Sequence, residues 1–238
     1  MNTTVARLTA RGLFGRRRVL VLLAVPVMLL VLAVIAGNST LDELDLAHSV
    51  LGSLALGTLV PITGLIVGTG VIATEIEDGS IVYLLAKPLP RWKIVTTKLA
   101  VAVASTWLLS AVPTYVAGLI LYGPGDGVAL GYGVGALAAG AAYSALFLLL
   151  GVLTRHAVIA GLAYALIWES LIGNYVEGAR TLSVQQWGLA LTEAVAADGT
   201  VTAPVGLTTA VWLLVVVAAG ATAVASVKLA GLTLGSEE

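Results

Sequence analysis

The sequence predicts an all-α, polytopic membrane protein with six transmembrane helices, and three observations carry that expectation. First, 59% of the 238 residues are hydrophobic, only 11% are charged, and the mean hydropathy is +1.03. Soluble domains carry roughly 25% charged residues, so this chain has too little polar surface to face water. Second, its apolar runs approach the roughly 20 residues that a membrane-spanning helix needs. They run continuously instead of alternating with polar residues, which excludes barrel strands. Third, the basic residues fall almost wholly in alternate loops.

The expected spans are 19–37, 50–74, 99–122, 128–153, 157–173 and 205–227. In this topology Arg7, Arg11, Arg16, Arg17, Arg18, Lys87, Arg91, Lys93, Lys98, Arg155 and Lys228 share one side. Arg180 alone lies on the other, with Asp42, Glu43, Asp45, Asp126, Glu177, Glu193 and Asp198. Positive loops stay inside, so both termini are expected in the cytoplasm and the protein in an inner (plasma) membrane.

Composition also limits the chemistry. There is no cysteine, which removes disulfides, thiolate nucleophiles and Cys-ligated metal. Two histidines, His48 and His156, without an H-E-x-x-H motif, argue against a zinc protease. A net charge of −1 gives no bulk attraction to nucleic acid, and none is expected as a partner. No catalytic residue, cofactor-binding residue or metal ligand is expected.

Each element has its own warrant. Residues 3–14 place Val5, Leu8, Leu13 and Phe14 among Arg7 and Arg11, the composition of a helix lying on the cytoplasmic face. A frayed basic leader that only sets topology is the other reading. Pro26, Pro61 and Pro113 fall inside spans and are expected to kink them. Gly64-x-x-x-Gly68 and Gly131-x-x-x-Gly135 have the spacing that lets helices pack closely. Gly123-Pro-Gly-Asp-Gly127 is a tight outer turn.

Two connections are more than turns. In the cytoplasmic segment, Ser80 or Asp78 can cap a short helix that presents Ile81, Leu84 and Leu85 on one face. Lys87-Pro88-Leu89-Pro90 then ends that helix. Such a face can dock in a groove of a cytosolic partner, or it can rest on lipid headgroups. On the outer side, residues 174–204 are expected to form short helices near 183–191 and 191–197, with Trp187, Leu189 and Leu191 at headgroup level. This stretch would serve as an outer gate or cap, or fill space between helices. Within the spans the one carboxylate is Glu169, beside Trp168 and about twelve residues, or roughly 18 Å, into its helix. Intramembrane carboxylates are costly and often functional. Glu169 and Trp168 are therefore candidates for the translocation path or a gate, with a structural role for Glu169 as the alternative.

Glu75-x-Glu77-x-Gly79-Ser80, Leu84-Leu85-Ala86-Lys87-Pro88, Arg91 and Lys98 resemble the signature of ABC-2 type transporter permeases. The six-span class that includes the nitrous-oxide-reductase maturation permease is similar over nearly the whole chain. Ser80 stands where that class carries threonine, and Thr97 where a glycine often precedes the lysine. The resemblance implies one transmembrane domain over 1–238. Its parts are a cytoplasmic leader (1–18), helices one and two (19–73), a coupling segment (74–98), helices three to five (99–173), an extracytoplasmic segment (174–204), and helix six with its tail (205–238). It implies that Glu75, Glu77, Gly79, Ser80, Leu84, Leu85, Lys87, Pro88 and Arg91 form a coupling helix and its flanks.

The partners implied are two copies of a cytosolic ABC ATPase and a second permease subunit. ATP and magnesium would be bound by the ATPase, and the chain itself contains no Gly-x-x-x-x-Gly-Lys-Ser/Thr phosphate loop. The expected function is a permease subunit of an ATP-driven exporter; the scarcity of charge in the spans points to a hydrophobic or amphiphilic cargo. A non-transporting scaffold or mechanotransmitting subunit would share these features. An ion-coupled secondary transporter would carry more intramembrane charge and internal repeats.

Overall fold

The computed structural model describes residues 3–13, 16–38, 47–77, 79, 90–172 and 177–231. Among these there are helices and turns and no strand. The helices are α1 (Thr3–Leu13), α2 (Arg16–Gly37), α3 (Ser49–Gly70), α4 (Ala73–Glu77), α5 (Arg91–Tyr122), α6 (Val128–Leu153), α7 (157–172), α8 (Glu177–Arg180), α9 (Val184–Val195) and α10 (Leu207–Gly231). Four of them, α3, α5, α6 and α10, are long and apolar enough to cross a membrane. Shorter apolar stretches, Leu22–Gly37 in α2 and Ala157–Glu169 in α7, stand where the first and fifth spans are expected.

The bundle is built around α6, which packs against α3, α5, α7, α9 and α10. Small residues make this possible. A Cβ on Gly64 would lie 2.9 Å from Tyr143 Cβ, and one on Gly68 would lie 3.0 Å from Phe147 Cβ and Ser144 O. The second glycine pair works on the opposite side of the hub. A Cβ on Gly135 would meet the Gly188 carbonyl oxygen and Thr192 Oγ1 at 2.5 Å, and one on Gly131 would meet Thr192 O at 2.7 Å. Both Gly-x-x-x-Gly pairs thus sit at helix contacts within this chain, the second against α9. Tyr143 stacks on Phe147 at 5.8 Å between centroids, and Phe147 meets Tyr164 of α7 edge-on at 6.1 Å.

Prolines act through the helix register. α3 starts with a π-helical stretch, Ser49–Leu59, and α5 contains another, Trp107–Ala111. Each gives way directly to α-helix at a Val-Pro pair, Val60-Pro61 and Val112-Pro113. The N–H of Val60 still bonds Ala55 O, five residues back. Proline has no N–H, so the change from wide to ordinary turns occurs where no donor is lost. A third π-helical stretch, Tyr164–Ile172, forms the second half of α7.

Several boundaries differ from expectation. The helix in the place of the expected second span ends at Gly70, four residues early, because the chain turns at Val71–Ile72 before starting α4. The third begins at Arg91 instead of 99, because Pro90 adopts an extended ψ of 134° that suits an N-cap and releases the helix immediately after it. The outer segment holds one helix, α9, across the junction expected near Leu191, since nothing before Asp198-Gly199 breaks it. That helix does not sit at the surface. Val184, Gln185, Gln186, Trp187, Gly188, Ala190 and Thr192 are buried, between α6 and α10. At the other end α1 packs on the first half of α5, with Leu13 buried and its Cδ2 3.1 Å from the Cβ position of Gly70. The N-terminal segment is thus a docked helix and not a frayed leader. The end of the bundle that carries α1 is termed the inner end, and the end that carries α9 the outer end.

Candidate functional site

At the inner end, the residues flanking 80–89 are fastened together. α3 stops at Gly70, so the carbonyl of Val71 has no place in a continuing helix, and α4 carries Glu75 just beyond it. Lys98, in the third turn of α5, is fully buried. Its Nζ donates to Val71 O and to Glu75 Oε1, each at 2.6 Å. A buried ammonium is tolerated only when paired and hydrogen-bonded, and this one ties the end of α3 and α4 to the start of α5. Around the ion pair lies an apolar cluster of Leu13, Leu22, Val67, Val71, Ile72, Ile94, Val95, Ala225 and Leu229. The roots of this segment are thereby one body with α1, α2, α3, α5 and α10.

Of the candidate coupling residues, Glu75 points inward to Lys98. Glu77 ends α4, and Gly79 adopts φ +68°, a left-handed conformation that glycine takes without steric cost. Arg91 opens α5, half-buried, followed by the exposed Trp92 with Lys93 Nζ 5.6 Å from its ring centroid. Ser80, Leu84, Leu85, Lys87 and Pro88 lie outside the described residues. The structure therefore brings Glu75 and Lys98 together across the base of this segment. Sequence reading placed both in one motif without pairing them; the signal was a lysine at the mouth of an apolar helix, which must find a carboxylate nearby.

At the outer end Glu169 is fully buried and acts as a cap for α9. Its Oε1 accepts from Tyr164 Oη and from the Val184 N–H, each at 3.0 Å. Its Oε2 accepts from the Ser183 hydroxyl at 2.5 Å and, longer, from the Gln185 N–H at 3.5 Å. Ser183 is the N-cap residue, and its Oγ also accepts from the Gln186 N–H at 3.4 Å. The first N–H groups of a helix lack partners in the helix and form its positive pole, so a carboxylate placed there satisfies both. Trp168 is half-buried and donates from Nε1 to Leu182 O at 3.3 Å, while Trp187 Nε1 donates to Thr181 O at 2.8 Å.

Further ties hold this end. Gln185 Nε2 donates to Gly52 O in the π-helical part of α3 at 3.1 Å, and its amide lies 2.8 Å from the Cβ position of Gly57. His48 bridges Tyr122 Oη (2.8 Å) and Thr200 O (2.7 Å), joining the start of α3, the end of α5 and the loop after α9. Tyr164, Ser183, Gln185 and His48 were not legible as site residues. A serine three residues before a glutamine-containing helical turn signals a cap, but not the distant carboxylate that caps with it.

Among the described residues these contacts form a single arrangement, in which the Ser183 and Tyr122 hydroxyls are taken up by the Glu169 cap and the His48 tie. It is a bundle with a fastened inner root and a capped, buried outer helix. The sequence pattern described as "ABC-2 family transporter protein" matches residues 16–229. No curated protein matches the chain. The match runs from the start of α2 into the last turn of α10, and the chain belongs to the ABC-2 family of transporter proteins: it is a membrane-embedded permease of the ABC transporter class.

Proposed function

We propose that this permease is the membrane-spanning subunit of an ATP-driven exporter of a hydrophobic or amphiphilic cargo, coupled to a separate cytosolic ATPase through residues 78–89. ATP and magnesium are bound on that ATPase, which joins in two copies, and a second permease subunit completes the path. Both termini face the cytoplasm of an inner (plasma) membrane. The observation that carries this reading is the Lys98–Glu75–Val71 fastening at the root of the segment. A load applied to 78–89 cannot be absorbed by separating its two ends; it must move α3 and α5 together. When two ATPase subunits close on ATP, their docked segments approach, and α3 and α5 tilt with them. Glu75 then serves as the inner anchor, Leu84 and Leu85 as the docking face, and Lys87-Pro88 and Arg91 as the exit from it.

The test is flux in proteoliposomes that contain the permease and its ATPase. Leu84→Asp should abolish cargo-stimulated ATP hydrolysis and flux while leaving the melting temperature of the permease unchanged. Normal flux in that variant would overturn docking through this face. ATP hydrolysis that Leu84→Asp abolishes, without flux of any amphiphile in the wild type, would instead favour a non-transporting scaffold that uses the same coupling.

A further inference from the structure

The outer end carries a polar pocket beside the α9 cap. Arg180 at the end of α8, Gln186 in the first turn of α9, and Thr202, Ala203 and Pro204 before α10 line a cavity of about 420 Å³. That volume lies within the range of small-molecule sites, roughly 300–1,000 Å³. The loop that carries Thr202, Ala203 and Pro204 is itself held in place. Ala197 N–H bonds Asp126 O at 2.9 Å, Thr200 O is held by His48, and Val201 and Val205 are buried.

Charge and position narrow the occupant. Arg180 is the only lysine or arginine on this side of the six-span topology, and it stands at the pocket. A guanidinium matches a phosphate in geometry and charge. At the Ala203 wall, Glu193 Oε2 accepts the Ala203 N–H at 3.2 Å, which places a carboxylate at the same rim. Asp126 and Asp198 add negative charge to this end. A net anion would be repelled by that surface, whereas a ligand that carries a phosphate and an ammonium meets both signs.

Directly after Pro204 the first turns of α10 present Leu207, Val211, Trp212, Val215 and Val216, all exposed, with Trp212 67% accessible. Tryptophan gathers at the membrane–water interface, and Trp212 lies only about 8 Å along α10 from its start at 1.5 Å per residue. The pocket therefore sits at headgroup level, above an apolar face suited to acyl chains.

We propose that this pocket binds one zwitterionic phospholipid from the leaflet at the outer end, its phosphate on Arg180, Gln186 and Thr202 and its ammonium toward Glu193. This site does not depend on ATPase coupling. The test is native mass spectrometry of the full chain released from nanodiscs of equal phosphatidylethanolamine and phosphatidylglycerol. Wild type should retain one phosphatidylethanolamine per chain, in roughly tenfold preference over phosphatidylglycerol, as charge-assisted hydrogen bonds would give.

Arg180→Gln and the milder Thr202→Val should lower retention of both lipids, the first by about tenfold. Glu193→Gln should keep lipid but erase the preference. Unchanged retention in a folded Arg180→Gln protein, with its melting temperature as wild type, would overturn the proposal. So would displacement of the lipid by soluble glycerophosphoethanolamine at equal concentration, which would make the ligand a free headgroup and not a lipid.

Discussion

Lys98 shows how one residue ties a sequence motif into the helix bundle. Its ammonium is fully buried, and its partners come from the end of α3 and from α4. Breaking a buried ion pair by removing one partner leaves an uncompensated charge, at a cost on the order of 3 kcal/mol. Glu75→Gln should therefore lower the melting temperature of the detergent-solubilised protein, and Lys98→Met placed on top of it should restore part of the loss. Additive losses in the double variant would show that the two side chains do not interact. Glu75 illustrates the limit of reading such a residue from sequence. Its acidic motif is visible, but whether it faces a partner or the protein's own lysine depends on where α3 stops, and the turn at Val71–Ile72 has no strong local signal.

At the scale of elements, continuous apolar runs make the helices legible, and glycine spacing makes their contacts legible. The depth of α9 was not, because its composition suits either a headgroup surface or a packed interior. What decides is long-range: Gly131 and Gly135 open a groove on α6, and Glu169 reaches from α7 to join Ser183 in capping α9. Thr192 and Gly188 fill that groove, so any side chain at 135 must push α9 outward. The absence of native cysteine permits a direct readout with Ala190→Cys, since Ala190 is buried on α9. Adding Gly135→Val should raise the labelling rate of that cysteine by about tenfold, in line with an overpacking cost of roughly 1–3 kcal/mol. Glu169→Gln should move it the same way, because its amide would turn a donor toward the donors of α9. Labelling that stays slow in both variants would mean that α9 is held by neither device.

For the whole molecule, the architecture places two distinct sets of contacts along the bundle. The inner end joins α1, α2, α3, α5 and α10 around the Lys98–Glu75 pair, and the outer end closes with α9 under a buried carboxylate. The central helix α6 touches both clusters, through Phe147 and Tyr143 outward and Leu148 inward. Membrane class, helical content and family are written in hydropathy and in the 75–98 motif. The fastening of that motif to the bundle is not, because it is made by tertiary contacts between segments 23 residues apart.

The central claim is that residues 78–89 seat a cytosolic ATPase. The most direct measurement is gentle purification of the chain from its native membrane in nanodiscs, with mass spectrometry of the proteins that travel with it. A nucleotide-hydrolysing subunit recovered with the wild type and lost with Leu84→Asp is the predicted result. Its equal recovery with both, or its absence from the wild type, would contradict that claim.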